Sequence, residues 1–233
     1  FKKRLAKLSP VQIITGYYFA AVSISTILLS LPVATKSGVQ WTFIDALFTA
    51  VSAVSVTGLS VVNTVDTFSV TGIFFLMFIL QFGGIGIMSL GTFFWLLLRK
   101  KIGLKERQLI MTDQNQTQLS GSVKLLIELI KIFLIIEFIG AIVLGIHFLS
   151  YYPDWREAFL HGLFLSISST TNAGFDITGL SMIPYHGDYF IQFVSILLLT
   201  LGAIGFPVLI EVKDFLSSRD RTYKFRFSLF TKI

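Results

Sequence analysis

Four stretches of the chain, approximately residues 11–33, 70–98, 125–149 and 189–212, are apolar over nearly their whole length. Each offers about 20 residues or more, enough at helical rise to cross a bilayer core of roughly 30 Å. Two shorter and more polar hydrophobic stretches, about 42–55 and 156–170, fall between the first and second spans and between the third and fourth. Neither is long enough to cross alone, so both suit re-entrant helices that enter and leave by one face. The pattern predicts an all-α integral membrane protein made of tandem helix, re-entrant helix, loop, helix units.

Composition agrees, since 54% of the 233 residues are hydrophobic and only 14% charged, far from the balance of a soluble domain. The first span follows the basic start Lys2-Lys3-Arg4 and could be read as a signal peptide. Its length, the lack of a small-residue cleavage site and the later spans favour a transmembrane helix. With no cysteine, disulfides, thiol nucleophiles and cysteine metal sites are excluded.

Charge sets an orientation. Lys2, Lys3, Arg4 and Lys7 precede span one; Arg99, Lys100, Lys101, Lys105, Arg107 and Lys124 separate spans two and three. Lys213, Arg219, Arg221, Lys224, Arg226 and Lys232 follow span four, making 16 of the 19 basic residues in three regions. By the positive-inside rule these regions, the N-terminus included, are cytoplasmic and both re-entrant stretches lie outside. The outer loops carry Lys36 and Arg156 against Asp45, Asp66, Asp154, Glu157, Asp176 and Asp188, a net negative mouth that suits cations. The formal net charge of +6 is therefore explained by membrane insertion, with no nucleic-acid partner needed.

The helix, short helix, helix order occurs twice. At an offset of 116, Leu47-Phe48 matches Leu163-Phe164, Val51-Ser52 matches Ile167-Ser168 and Gly58 matches Gly174; at 119, Gly83-Gly84-Ile85-Gly86 matches Gly202-Ala203-Ile204-Gly205. Such parallel copies divide the chain into a cytoplasmic N-terminus at 1–10, a first unit at 11–107, a cytoplasmic linker at 108–122, a second unit at 123–217 and a cytoplasmic segment at 218–233.

Each short helix runs into a small-residue turn: Ser55-Val56-Thr57-Gly58 in the first copy and Thr171-Asn172-Ala173-Gly174 in the second. Non-helical backbone at membrane depth is tolerated only when buried in protein or lining a wet path. Backbone carbonyls aimed at an axis can replace the water shell of a monovalent cation without a fixed charge that binds too tightly, and glycine permits the close approach required. These eight residues are the candidate filter. The bland alternative is an ordinary glycine turn; two copies in register favour ion coordination.

The stretch Asp45-Ala46-Leu47-Phe48-Thr49-Ala50, then Val56-Thr57-Gly58-Leu59, Gly83-Gly84-Ile85-Gly86 and Lys101-Ile102-Gly103-Leu104-Lys105-Glu106-Arg107 resembles the membrane (pore) subunit of the Trk/Ktr/HKT potassium transporter family, closest to the bacterial Ktr branch. Asn172-Ala173-Gly174-Phe175 is similar to that family's second filter segment. The resemblance covers essentially the whole chain. It implies a potassium-channel-like pore of four pseudo-equivalent repeats, with Gly58 and Gly174 as two of four filter glycines. It further implies K+ uptake across the plasma (inner) membrane, with Na+ dependence and the choice of channel or symporter left open. Its implied partners are lipid, a second copy in a homodimer and a cytoplasmic ring of RCK-type nucleotide-binding subunits. The ring, and not this chain, would hold nucleotide. Since Ser228–Ile233 is similar to the inner approach to a third repeat, the sequence is expected to stop partway through the protein.

Asp45 and Asp176 are weaker candidates for an outer vestibule. Glu137, deep in span three, is an expensive intramembrane carboxylate; a structural partner on a neighbouring helix is favoured over a role in the filter. Glu128 and Lys131 suit a helix-surface pair at i, i+3. His147, His161 and His186 lack metal-ligand spacing. Gly83, Gly84 and Gly86 suit close packing and not a nucleotide loop. Pro207 is expected to kink span four. Trp41, Tyr151, Tyr152 and Trp155 suit interfacial aromatics. A broken-helix carrier and, less well, a polytopic membrane enzyme remain as alternatives; the latter lacks convergent acid, base or metal groups.

Overall fold

The computed structural model describes residues 10–86, 89, 122–217 and 229–232. In chain order its helices are α1 Pro10–Ser30, α2 Phe43–Val54, α3 Thr64–Thr67, α4 Val70–Gly84, α5 Ser122–Phe148, α6 Trp155–Thr170, a 3-10 turn Ile183–Tyr185, α7 Tyr189–Ala203, α8 Phe206–Ser217 and α9 Leu229–Lys232. Among the described residues there is no strand; an isolated bridge joins Thr35 and Phe68.

The two short hydrophobic stretches fold close to where periodicity put them, 42–55 as α2 and 156–170 as α6. Local chemistry fixes their starts. Thr42 and Asp45 form a reciprocal capping box on α2, and the Asp154 carboxylate accepts the Arg156 N–H at the head of α6. Each cap satisfies N–H groups that no helical carbonyl can reach.

Of the described helices, α1 and α5 are long and apolar enough to cross a membrane unaided. The other two predicted spans are interrupted. Span four is two helices, α7 and α8, separated at Gly205, whose φ is +91°. The expected kink at Pro207 is therefore a break made by glycine two residues earlier. Pro207 occupies the first turn of α8, where a missing N–H leaves no helical bond unmade. The first copy breaks the same way after α4, where Gly86 has φ +95°. The remainder of the 70–98 span apart from Ser89, the basic clusters at 2–7 and 99–107, the 108–122 linker before Ser122, and most of 218–233 lie outside the described residues.

In the first copy α2 packs on α1 and α4; in the second α6 packs on α5 and α7. The copies meet where α4 touches α6, and one buried cluster crosses that boundary. Leu76, Ile79 and Leu80 of α4 share it with Phe164 and Ile167 of α6 and with Ala173 and Phe175 just beyond. This shared core presses the ends of α2 and α6 together. Trp41 is drawn inward as well, donating its indole N–H to Leu29 O at 2.9 Å and packing edge-on to Phe68 at 5.4 Å.

Paired turns as the candidate functional site

Helix α2 ends because its last carbonyls are capped from within the turn. Val56 N–H donates to Ala53 O at 3.3 Å and Thr57 N–H to Ser52 O at 2.9 Å, with Val56 left-handed at φ +55°. Helix α6 repeats this at an offset of 116: Asn172 N–H to Ser169 O at 3.0 Å, Ala173 N–H to Ser168 O at 2.9 Å, Asn172 at φ +57°. Both are Schellman closures, in which the residue after the cap turns left-handed. That position usually holds glycine. Asparagine tolerates it, but a β-branched valine is a strained occupant, at a cost of about 1–3 kcal/mol.

Two residues on, Gly58 at φ +77° and Gly174 at φ +70° turn left-handed again. The loops touch there: a Cβ on Gly58 would lie 2.6 Å from Ala173 O and 3.3 Å from Gly174 Cα. Ser52 and Ser168, also 116 apart, tie each loop back to its own helix. The Ser52 hydroxyl accepts the Leu59 N–H at 2.9 Å, and the Ser168 hydroxyl donates to Phe175 O at 2.6 Å.

The turns thus consume the N–H groups of their first three residues and leave their oxygens. Among the described residues, no hydrogen bond ends on the carbonyls of Ser55, Val56, Thr57 or Gly58, nor on those of Thr171, Asn172, Ala173 or Gly174. Eight backbone acceptors in two contacting, equivalent turns form a site suited to an electropositive guest and lacking any ionised side chain.

Glycine also seats the turns from behind. A Cβ on Gly83 would fall against Val56 Cγ2 and 2.8 Å from Val54 O; one on Gly202 would fall against Thr170 O. Val54 and Thr170 are equivalent in the 116 offset, as Gly83 and Gly202 are in the 119 offset. Gly84 abuts the second turn instead, 2.5 Å from Thr171 Cβ by the same construction. The close packing expected of the Gly83-Gly84 pair is therefore packing onto the candidate filter.

The two vestibule candidates lie elsewhere on the loops. Asp45 sits in the first turn of α2, about 15 Å along the helix from Ser55 at 1.5 Å per residue. Its carboxyl is held below the ordinary carboxylate range by the Thr42 hydroxyl and N–H. The Asp176 carboxylate accepts the Thr178 N–H and hydroxyl and the Ser181 N–H, folding its own loop, while Asp176 O accepts the Thr64 hydroxyl and links the copies.

Glu137 is buried at 4% exposure, and Gln81 of α4 donates its amide to both carboxylate oxygens at 2.9 and 2.8 Å. Its partner on the neighbouring helix is thus a neutral amide. Glu137 O also accepts the Ser166 hydroxyl at 2.8 Å, so one residue joins α4, α5 and α6 just behind both turns. Glu137→Ala should lower stability by about 2 kcal/mol, through a lost interhelical hydrogen bond and an orphaned amide. Glu137→Gln retains an acceptor and should lose less than half of that in detergent melting curves.

The Glu128–Lys131 pair forms at 3.8 Å, and Glu128 also pairs with Lys213 of α8, a link between helices that local spacing could not disclose. His147 Nε2 lies 2.6 Å from Asp188, which also accepts from Tyr151 and caps α7. These contacts hold the Asp188 carboxyl far below its ordinary range. Among the described residues no three His, Cys, Asp or Glu gather as a metal site.

A family profile described as a cation transport protein, TrkH, matches residues 5–233. The chain is 64% identical over 233 residues to the Ktr system potassium uptake protein D of Bacillus subtilis, covering all of the chain and 51% of that protein. It is 37% identical over 227 residues to the Ktr system potassium uptake protein B of the same organism, covering 97% of the chain and 49% of that protein. To the potassium/sodium uptake protein NtpJ of Enterococcus hirae it is 36% identical over 208 residues, covering 89% and 46%. The chain spans about half the length of these curated relatives.

Proposed function

Because this chain belongs to the TrkH family of cation transport proteins, we propose that its two turns are consecutive selectivity-filter segments of a K+ uptake pore. The observation that carries the reading is the set of eight carbonyls left without donors in two contacting turns of equal backbone geometry. Such oxygens compensate a partly dehydrated K+ without trapping it. Helices α2 and α6 both end at the site, so their negative dipole ends add to the attraction.

Two turns do not encircle an ion, and the helix faces support further repeats of the same kind. On α2, Ile44 is 73% exposed, whereas its counterpart on α6, Leu160, is half-buried against the cluster to which α4 contributes. A span equivalent to α4, from another repeat, completes the pattern and brings the filter to four segments. In this arrangement α2 and α6 are re-entrant pore helices and the repeats span 11–107 and 123–217. Asp45 and Asp176 contribute negative charge to the outer loops and no ligand to the ion.

In this reading the N-terminus is cytoplasmic and the turns face the outside of the plasma membrane, an orientation that the positive-inside rule supports. The protein works as a homodimer on a cytoplasmic nucleotide-binding ring, which carries regulation; the chain itself carries ions and no nucleotide. K+ is the principal ion, with Na+ its competitor or co-ion.

The test is growth of a K+-uptake-deficient bacterium on low K+ with the full-length protein expressed. Restored growth and saturable K+ uptake are expected. Failure to restore either, with membrane expression confirmed, overturns the reading.

A further inference from the structure

A groove of about 660 Å³ opens between the two repeats, away from the paired turns. One wall is Ile73 and Phe74 of α4; the opposite wall is Phe159 and Leu163 of α6. Trp155 lies along it, 62% exposed, with the Arg156 guanidinium 5.7 Å above its ring. An apolar trough of this kind in a membrane protein excludes water and accepts hydrocarbon.

Its rim is unusual in charge. Lys36 and Arg156, the two bases of the loops that join spans one to two and three to four, both line this groove. Lys36 gives one N–H to Val65 O at 2.7 Å, which leaves two of its three donors. Among the described residues neither base forms an ion pair, although Asp154 and Glu157 lie on the same rim. The Asp154 carboxylate is already occupied with the N-terminus of α6.

We propose that this groove is a phospholipid site, with the phosphodiester held between Lys36 and Arg156 and an acyl chain lying along Phe74, Phe159 and Leu163. A phosphodiester supplies oxygens that two cationic side chains can share, and guanidinium is the side chain best shaped to grip them. The acyl chain gains packing contacts along the trough, and the two cationic side chains supply the selectivity for the headgroup. The lipid then fills the joint between repeats, bridging the loop after α1 to the head of α6. The proposal needs membrane residence alone and is independent of which ion the turns select.

The test uses the full-length protein in lipid-free detergent, titrated with phosphatidylethanolamine or with a diacylglycerol of the same chains. Native mass spectrometry counts bound lipid and thermal melting reads its effect. Phosphatidylethanolamine is expected to bind and raise the melting temperature, and the diacylglycerol to bind at least tenfold more weakly. Lys36→Gln with Arg156→Gln should erase the difference between the two. Leu163→Trp, which fills the trough and keeps both charges, should reduce binding of either. Equal binding of phosphatidylethanolamine and diacylglycerol by the wild type overturns the proposal, as does an undiminished preference in the double variant. Disulfide cross-linking of two copies through Arg156→Cys would assign the groove to a second chain and overturn it as well.

Discussion

Serine at position 58 lowers the ratio of K+ to Na+ uptake by about tenfold or more, while the amount of protein in the membrane stays close to wild type. Two costs meet at this glycine. Its φ of +77° is left-handed, which a residue with a Cβ adopts at a cost of about 1–2 kcal/mol. The new Cβ would also stand 2.6 Å from Ala173 O, and that neighbour is backbone, unable to rotate away. The second turn must therefore shift, moving carbonyls in both segments. A filter that discriminates through oxygens placed on partly dehydrated ions is sensitive to such shifts, and tenfold in selectivity is only about 1.4 kcal/mol. Gly174→Ser makes the internal comparison. It meets the same φ penalty, but its Cβ finds Gly58 Cα at 3.6 Å, an ordinary contact. Its loss should be clearly smaller. Paired K+ and Na+ tracer fluxes decide the matter, and an unchanged ratio in Gly58→Ser removes that residue from the filter.

Gly202→Ala abolishes uptake and lowers the stability of the folded protein by about 3 kcal/mol or more. The added methyl would overlap Thr170 O, the last helical residue before the second turn, and would also lie 2.9 Å from Asn172 Nδ2. Core overpacking typically costs about 1–3 kcal/mol when side chains can adjust. Here a carbonyl of α6 and the helix carrying residue 202 must separate instead. Gly16→Ala is the control: it too lies in an apolar span, but nothing stands within 4 Å of its Cβ. Its melting temperature and transport should match wild type or rise slightly, because alanine favours helix. Detergent melting curves and K+ uptake measured together separate lost seating of the turn from a general failure to insert.

Most of this arrangement was legible because it depends on local regularities. The short helices follow from apolar runs too brief to cross, although the Thr42-x-x-Asp45 cap of α2 emerges only in the structure. The duplicate geometry of the turns was foreshadowed by Gly58 and Gly174 in one offset. What stayed hidden depends on residues brought together from afar. Glu137 was recognisable as needing a partner, but nothing local pointed to Gln81. Gly83 and Gly202 matched in the sequence without revealing that they abut Val54 and Thr170. The Ser52 and Ser168 clamps were visible as a matched pair, yet their partners depend on how the chain turns afterward. The break falls at Gly205 and not at Pro207, because proline is accommodated in the first turn of a helix, while a glycine inside an apolar run gives only a weak signal in the sequence.

Val56 and Asn172 occupy the same left-handed position in otherwise matching turns. Valine's branched Cβ confines its rotamers and disfavours that backbone region, whereas asparagine visits it readily. Val56 is held there by its neighbours, with Gly83 leaving room for its γ-carbon. The two turns are thus alike in shape and unlike in compliance. The first resembles a loaded spring clamped in place, the second an unloaded one. Loosening the packing that holds Val56 therefore releases strain in the first turn that the second does not store.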